Sequence, residues 1–161
     1  CSSDLATFLE YFSFLKDAYL LEFVSMFSHS LKIQARNPKK VYVMDMAIYT
    51  ETSVSTSNNT GKRLENLIFL HLRRKYKHIF YYKEKGECDF VVMEKNAVKE
   101  AIQVCLAVDD ENFNREYDGL LDAMRNFNLK NGSIITLNQS DTFEKEGMTI
   151  RMIPAAEFLE K

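Results

Sequence analysis

The strongest constraint on the fold is the order of periodic segments in the C-terminal two thirds of the sequence. Two segments repeat apolar residues at three- and four-residue spacing, which is typical of amphipathic helices, and short runs rich in β-branched and aromatic residues lie around them. The predicted elements are, in order, helix 62–76, strands 79–83, 87–93 and 98–106, helix 113–127, strands 133–137 and 148–153, and a short helix from Pro154. This order predicts an α/β protein (α+β, with a mixed sheet) and an α-β-β-β-α-β core.

The first 49 residues predict a smaller unit in front of that core. Residues 4–18 carry an apolar stripe at helical spacing, and the apolar runs 19–27 and 40–44 flank a polar stretch with an Asn-Pro pair, which indicates a hairpin with a long loop. A helix followed by a hairpin suggests a winged-helix-like remnant. Residues 50–60 are rich in Ser, Thr and Asn, so we expect a mobile loop there and a separate α/β unit over residues 61–161.

Composition excludes several classes of protein. With 161 residues, 46% hydrophobic and 27% charged, the chain has the balance of one globular domain rather than a disordered or fibrous protein. Its apolar runs are too short to cross a bilayer, so we expect no membrane insertion. An odd cysteine count, at Cys1, Cys88 and Cys105, favours a reducing compartment, which predicts a cytoplasmic protein. The less favoured alternative is that Cys1 bears the lipid of a processed lipoprotein.

Charge is distributed unevenly along the chain. The net charge of −2 argues against a strongly electrostatic nucleic-acid binder. However, residues 32–85 contain 12 basic and 4 acidic residues, whereas residues 86–122 contain 3 basic and 10 acidic residues. A basic cluster at residues 73–77 ends the first core helix, where it either complements the helix dipole or binds phosphate. Thr60-Gly61-Lys62 lacks the first glycine of a phosphate-binding loop, and the three histidines lack metal-ligand spacing.

One set of side chains points to possible chemistry. Glu65 lies on the apolar face of helix 62–76, and a buried unpaired carboxylate is costly. Strand alternation makes Asp89 and Gln103 cross-strand neighbours. Two carboxylates and an amide oxygen are donors that a hard cation such as Mg²⁺ prefers, so Glu65, Asp89 and Gln103 form a candidate metal site. The competing interpretation, favoured on composition alone, is that Glu65 and Asp89 pair with Lys or Arg residues of the basic stretch.

Six short motifs follow one another along the chain. They are KVYVMD at 40–45, GKRLEN at 61–66, residues 82–86, ECDFVV at 87–92, IQVC at 102–105 and residues 115–120. In this order of motifs the chain resembles the C-terminal domain of unknown function that follows an AAA-type ATPase module in many bacterial and archaeal ATPases. That domain is similar to the PD-(D/E)XK restriction-endonuclease-like fold, whose core order is the one predicted above.

The resemblance also implies site residues. Glu65 matches the helix carboxylate and Asp89 the metal-binding aspartate, which makes them, with Gln103, the implied catalytic residues and Mg²⁺ ligands. Gln103 and Cys105 stand at the acid and lysine positions of the (D/E)XK element, so this chain departs from the family pattern there. Cysteine cannot replace an ammonium that orients water and stabilises phosphate charge. A lysine from the turn, Lys83 or Lys85, is the alternative source of that charge.

Three functions follow, in order of preference. The leading expectation is a nuclease-like domain of an AAA-type ATPase, degenerate in catalysis, that binds DNA or a protein partner. The second is an active Mg²⁺-dependent DNA endonuclease that uses Glu65, Asp89 and Gln103. The third is a purely structural or oligomerisation domain. Under the leading expectation, the ATPase module belongs to the same polypeptide.

Overall fold

The computed structural model describes residues 2–52 and 58–160. In these residues, helices are interspersed with strands that form one two-stranded and one six-stranded β-sheet. The elements are α1 (Ser2–Asp17), β1 (Leu21–Ser25), α2 (Leu31–Arg36), β2 (Lys39–Val43), α3 (Met46–Thr52), α4 (Asn58–Lys75), β3 (His78–Lys83), β4 (Glu87–Glu94), β5 (Ala97–Val104), α5 (Phe113–Asn126), β6 (Asn131–Thr136), β7 (Asp141–Lys145), β8 (Met148–Pro154) and α6 (Ala155–Leu159). No helix in these ranges is long and apolar enough to cross a membrane.

The central sheet has six strands in the order β3-β4-β5-β6-β8-β7. The first three strands form an antiparallel meander. Strand β6 pairs parallel to β5, and β8 pairs parallel to β6. Strand β7 forms the edge of the sheet and is antiparallel to β8. The predicted α/β fold with a mixed sheet is therefore confirmed, as is the antiparallel pairing of β4 with β5. Strand β7 was missed because its side chains are mostly exposed and polar, so it lacks an apolar alternation.

Two hydrophobic clusters cover the two faces of this sheet. Ile134 and Ile135 are successive residues of β6 and belong to different clusters, so the clusters lie on opposite faces. Helix α4 packs on one face and α5 on the other, each through residues three and four apart, as the periodicity predicted. Full burial of each such side chain stabilises the fold by roughly 1.5–3 kcal/mol. The buried helix residues are Leu64, Ile68, Phe69 and Leu72 in α4, and Tyr117, Leu120, Leu121 and Met124 in α5.

The N-terminal hairpin packs into the same core. Strands β1 and β2 pair antiparallel, as predicted, and their inward residues Val24 and Tyr42 are buried in the α4 cluster. A backbone bridge between Met26 and Tyr81 ties the hairpin to β3. The hairpin loop contains α2, a six-residue helix that buries no side chain and therefore gave no amphipathic signal. The hairpin thus brings β2 against the sheet.

The segment predicted as a mobile loop, residues 50–60, is helical at both ends. Helix α3 includes residues 50–52 and α4 begins at Asn58, whereas residues 53–57 lie outside the described residues. Helix α4 begins four residues earlier than predicted because its first turn is polar and contributes nothing to the apolar stripe. The division of the chain into a winged-helix-like part, residues 1–49, and a nuclease-like part stays a prediction.

Candidate functional site

The candidate site is a group of three carboxylates around one ammonium. Lys40 Nζ lies 2.6 Å from Asp89 Oδ1 and 3.3 Å from Glu65 Oε1. It is also 3.3 Å from Glu87 Oε1. We call Lys40, Glu65, Glu87 and Asp89 the Lys40 cluster. The structure therefore brings the predicted Glu65 and Asp89 together, and it places between them a lysine that the site prediction did not include.

The hairpin and α4 position the first half of this cluster. Tyr42 alternates with Lys40 on β2, and its ring stacks on Phe69 of α4 with centroids 4.3 Å apart and planes 13° apart. Phe69 lies one helical turn after Glu65, so the same contact sets the distance between helix and strand. The Tyr42 hydroxyl donates a 2.6 Å hydrogen bond to Glu65 Oε1. Glu65 is thus held by a tyrosine and a lysine from one strand.

Strands β4 and β5 position the second half. Asp89 is 7% exposed, and its Oδ2 accepts a 2.9 Å hydrogen bond from the backbone N–H of Val104. The Asp89 N–H in turn donates to Gln103 Oε1 at 3.1 Å, so the two residues are neighbours as strand alternation predicted. Gln103 Nε2 donates to Glu116 Oε2 at 2.6 Å. Both ends of the Gln103 amide are therefore engaged within the protein.

Burial and charge determine the protonation of the cluster. Burial raises the pKa of Asp89 to about 6, although Lys40 opposes this increase. Burial alone lowers the pKa of Lys40, but the surrounding carboxylates, Asp89 first, outweigh it and the net pKa is raised. Burial and the nearby Glu65 carboxylate also raise the pKa of Tyr42. Lys40 is therefore a cation and Tyr42 a neutral hydrogen-bond donor at neutral pH.

The other predicted residues contribute no cation at the centre of the cluster. Burial, followed by the charge of Glu116, raises the pKa of Cys105 to about 12, so its thiol is neutral at pH 7. Lys83 lies 2.9 Å from Glu87 Oε2, where both side chains are exposed. Lys85 lines the adjoining cleft. The cation in the described cluster is Lys40, whose ammonium is paired with carboxylates. Strand alternation places Lys40 on the same side as the inward-facing Tyr42, which signals an inward lysine but not the carboxylates that it meets.

A divalent ion does not fit this arrangement of side chains. The Lys40 ammonium lies between the Glu65 and Asp89 oxygens, and Gln103 Oε1 already accepts the Asp89 N–H. Within residues 2–52 and 58–160, no group of three or more His, Cys, Asp or Glu side chains is placed to hold a metal ion. The arrangement matches the alternative considered above, in which Glu65 and Asp89 pair with a lysine of the basic stretch.

A cleft of about 970 Å³ adjoins the cluster, between the β3–β4 turn and α5. Asp89 and Gln103 reach its wall, and its lining contains six acidic and four basic side chains. Three of those four cations are already paired with carboxylates: Lys83 with Glu87, Arg115 with Glu116 and Arg125 with Glu146. The cleft therefore presents net negative charge to solvent, which disfavours the approach of a phosphate backbone.

Comparison with known proteins finds one informative relative. The chain is 38% identical over 144 residues to a protein of Methanocaldococcus jannaschii described as "Uncharacterized protein MJ1544". The match covers 86% of this chain and 31% of the relative, so the chain spans about a third of the length of the curated relative it matches. No protein-family model matches the chain, and no solved structure matches it.

Proposed function

We propose that this chain is a nuclease-like module of a longer AAA-type ATPase, that it does not cut nucleic acid, and that it acts by binding it. The observation that carries this proposal is the Lys40 ammonium, which lies among Asp89, Glu65 and Glu87. A decayed nuclease site that keeps its carboxylates must neutralise them without a metal, because uncompensated buried charge is destabilising. Lys40 offsets part of this charge, since its one ammonium contacts all three carboxylates.

The chemistry of an ammonium explains why the module would not cut. Hydrolysis of a phosphodiester at neutral pH needs an activated water, and a divalent ion supplies it by lowering the pKa of bound water. An ammonium carries a single charge and has no coordination position for water. With Cys105 neutral as well, the described residues offer the cluster no free cation to stabilise charge on a phosphate, since Lys40 is paired with its carboxylates and Lys83 with Glu87. This set of groups supports the absence of cleavage, whereas the binding part of the proposal rests on the resemblance to a nuclease-like domain.

The proposal that the chain is one module of a longer ATPase rests on its motifs and on the greater length of the archaeal relative. The order of motifs resembles the domain that follows an ATPase module, and the archaeal relative is about three times longer than the matched region. The six-stranded sheet with α4 and α5 on its two faces is compatible with a restriction-endonuclease-like core. An ATPase module in the same polypeptide is therefore our expectation for the full-length protein.

Two assays on the purified chain test the proposal. We expect labelled DNA to bind with an affinity that falls as salt increases, and we expect no plasmid nicking with Mg²⁺ or Mn²⁺. Asp89→Asn is the matched variant, because it removes the carboxylate charge while retaining its shape. If the wild-type protein nicks plasmid and Asp89→Asn abolishes that nicking, the proposal is wrong and the active endonuclease takes its place. If the wild-type protein shows no salt-sensitive DNA binding, the proposed nucleic-acid binding is wrong.

A structural role is the second candidate, and helix α1 favours it. Its aromatic side chains Tyr11 and Phe14 are 66% and 68% exposed, and Tyr19, just after the helix, is 82% exposed. Exposed aromatic groups this close together are typical of surfaces that bind another protein chain. Multi-angle light scattering distinguishes this candidate: a dimer that Tyr11→Ser with Phe14→Ser converts to a monomer would support oligomerisation. A wild-type monomer leaves nucleic-acid binding as the proposed role.

A further inference from the structure

A second pocket, remote from the Lys40 cluster, has the opposite charge character. It has a volume of about 300 Å³ and lies between the end of α4, the starts of β5 and β6, strand β8 and α6. Lys75, Lys99 and Arg151 line it, with Glu100 as its acidic residue. Lys75 comes ten residues after Glu65 on α4, which separates the two by about 15 Å along the helix. We call this the α4–β8 pocket.

Two of its cations are unpaired in the part of the chain that the structure describes. Lys75 and Arg151 are both exposed, and neither lies within ion-pair distance of a carboxylate in residues 2–52 and 58–160. Lys99 pairs with Glu94 at 3.1 Å, and the Glu100 carboxylate accepts a 2.8 Å hydrogen bond from the Tyr76 hydroxyl. The charge that is available to a ligand therefore comes from Lys75 and Arg151.

The basic cluster at the end of α4 divides into two roles. Arg73 pairs with Glu22 at 3.1 Å and donates to the carbonyl of Lys77, so it ties the end of the helix to β1 and to the next turn. Lys75 instead lines the α4–β8 pocket. Arg73 therefore has a structural role at the end of the helix, whereas the Lys75 side chain is available to bind a ligand.

The remaining lining suits a nucleotide. Ser133 and Arg151 are direct partners across β6 and β8, and Asn131 lies at the start of β6, so hydroxyl, amide and guanidinium groups lie close together. Such groups bind phosphate and sugar oxygens. The rings of His71, Tyr76 and Phe158 form the other side, with His71 and Phe158 centroids 5.4 Å apart. Aromatic walls stack on bases, and the volume is at the lower end of the range for small-ligand pockets.

We propose that the α4–β8 pocket binds one nucleotide unit, with Lys75 and Arg151 on its phosphate and the aromatic wall against its base. The nucleotide belongs to a single strand of nucleic acid or is a free mononucleotide. For a strand, this inference rests on the proposed binding function, and it places the contact away from the acidic cleft. Burial, and then the charges of Lys75 and Arg74, lower the pKa of His71, so its ring joins the aromatic wall as a neutral imidazole at pH 7.

Fluorescence anisotropy with a labelled single-stranded oligonucleotide tests the site. We expect Lys75→Gln with Arg151→Gln to weaken binding at least tenfold and to reduce the slope of log affinity against log salt by about 2. The matched control is Lys83→Gln with Lys85→Gln, which removes two charges from the cleft and should change affinity less than twofold. All four residues are exposed, and circular dichroism checks that each variant folds.

The possible outcomes separate the pocket from the proposed function. If the oligonucleotide binds the wild type and only the cleft variant, Lys83→Gln with Lys85→Gln, weakens that binding, the pocket is not the binding site, although the proposed nucleic-acid binding still holds. If the wild type binds no oligonucleotide but a mononucleotide shifts the NMR signals of Ser133 and Asn131, the pocket is right and its ligand is free nucleotide. If neither probe binds the wild-type protein, the inference is overturned.

Discussion

Replacing Lys40 by Met removes the ammonium from the cluster and keeps most of the aliphatic stem. Asp89 then loses its 2.6 Å ionic partner while remaining buried, and Glu65 loses one of the two hydrogen-bond donors that the described residues give it. Removing one partner of a buried ion pair costs about 3–5 kcal/mol in the free energy of unfolding. Because the Lys40 side chain is 22% exposed, we expect the lower end of that range, about 3 kcal/mol, at pH 7.

The pH dependence identifies the origin of this loss. The pKa of Asp89 is raised to about 6 in the folded protein, above its unfolded value, so the folded state binds more protons between about pH 4 and pH 6. Wild-type stability attributable to Asp89 therefore falls as pH rises through that window, by about 3 kcal/mol in total. Without Lys40 the pKa of Asp89 rises further. The variant should then lose clearly less stability at about pH 5, where Asp89 is protonated in both proteins, than at about pH 7.

Urea denaturation at the two pH values measures both quantities. Lys39→Met is the matched control, because Lys39 is the exposed neighbour on the same strand, and we expect it to change stability by less than about 0.5 kcal/mol. Adding Asp89→Asn to Lys40→Met should recover part of the loss at pH 7, since it removes the orphaned charge. An equal loss at both pH values, or no loss at all, would refute the reasoning.

The remaining predictions concern neighbouring residues. Gly119→Ala should destabilise the protein by about 1–3 kcal/mol in thermal melts, because a Cβ there would overlap the Glu87 carbonyl oxygen and push α5 off β4; an unchanged melting temperature would contradict that packing. Tyr42→Phe should cost about 1.5–3 kcal/mol in urea denaturation, since it removes the hydroxyl donor to the Glu65 carboxylate without a change of shape. Cys105→Lys should still show no Mg²⁺-dependent plasmid nicking, because Lys40 remains in place; nicking by this variant would contradict our account.

Most of the core could be predicted because its signals are local. The faces of α4 and α5 follow from apolar residues three and four apart, and the Asp89–Gln103 neighbours follow from strand alternation and a short turn. The carboxylate of Glu65 was conspicuous because it shares a face with buried residues. These features depend on spacing within about 20 residues, which a sequence displays directly.

The pairing of Lys40 with Asp89 at the centre of the Lys40 cluster could not be predicted from such local spacing. Lys40 and Asp89 are 49 positions apart and meet only because the β1–β2 hairpin packs against α4 and β3. Local periodicity predicts the hairpin but not where it packs. Glu116, the second partner of Gln103, was also missed, because it comes from the next helix and its side chain reaches the strand through a close approach that Gly119 permits.

The most direct test of the central claim is whether the wild-type protein binds a divalent cation at the Lys40 cluster. Electron paramagnetic resonance of Mn²⁺ reports the free ion, whose signal decreases when the ion binds to protein. We predict that wild-type protein leaves the free Mn²⁺ signal unchanged, since the Lys40 ammonium already lies between the Glu65 and Asp89 oxygens that the ion would need. A loss of that signal with the wild type, restored by Asp89→Asn, would contradict the account and establish a metal site.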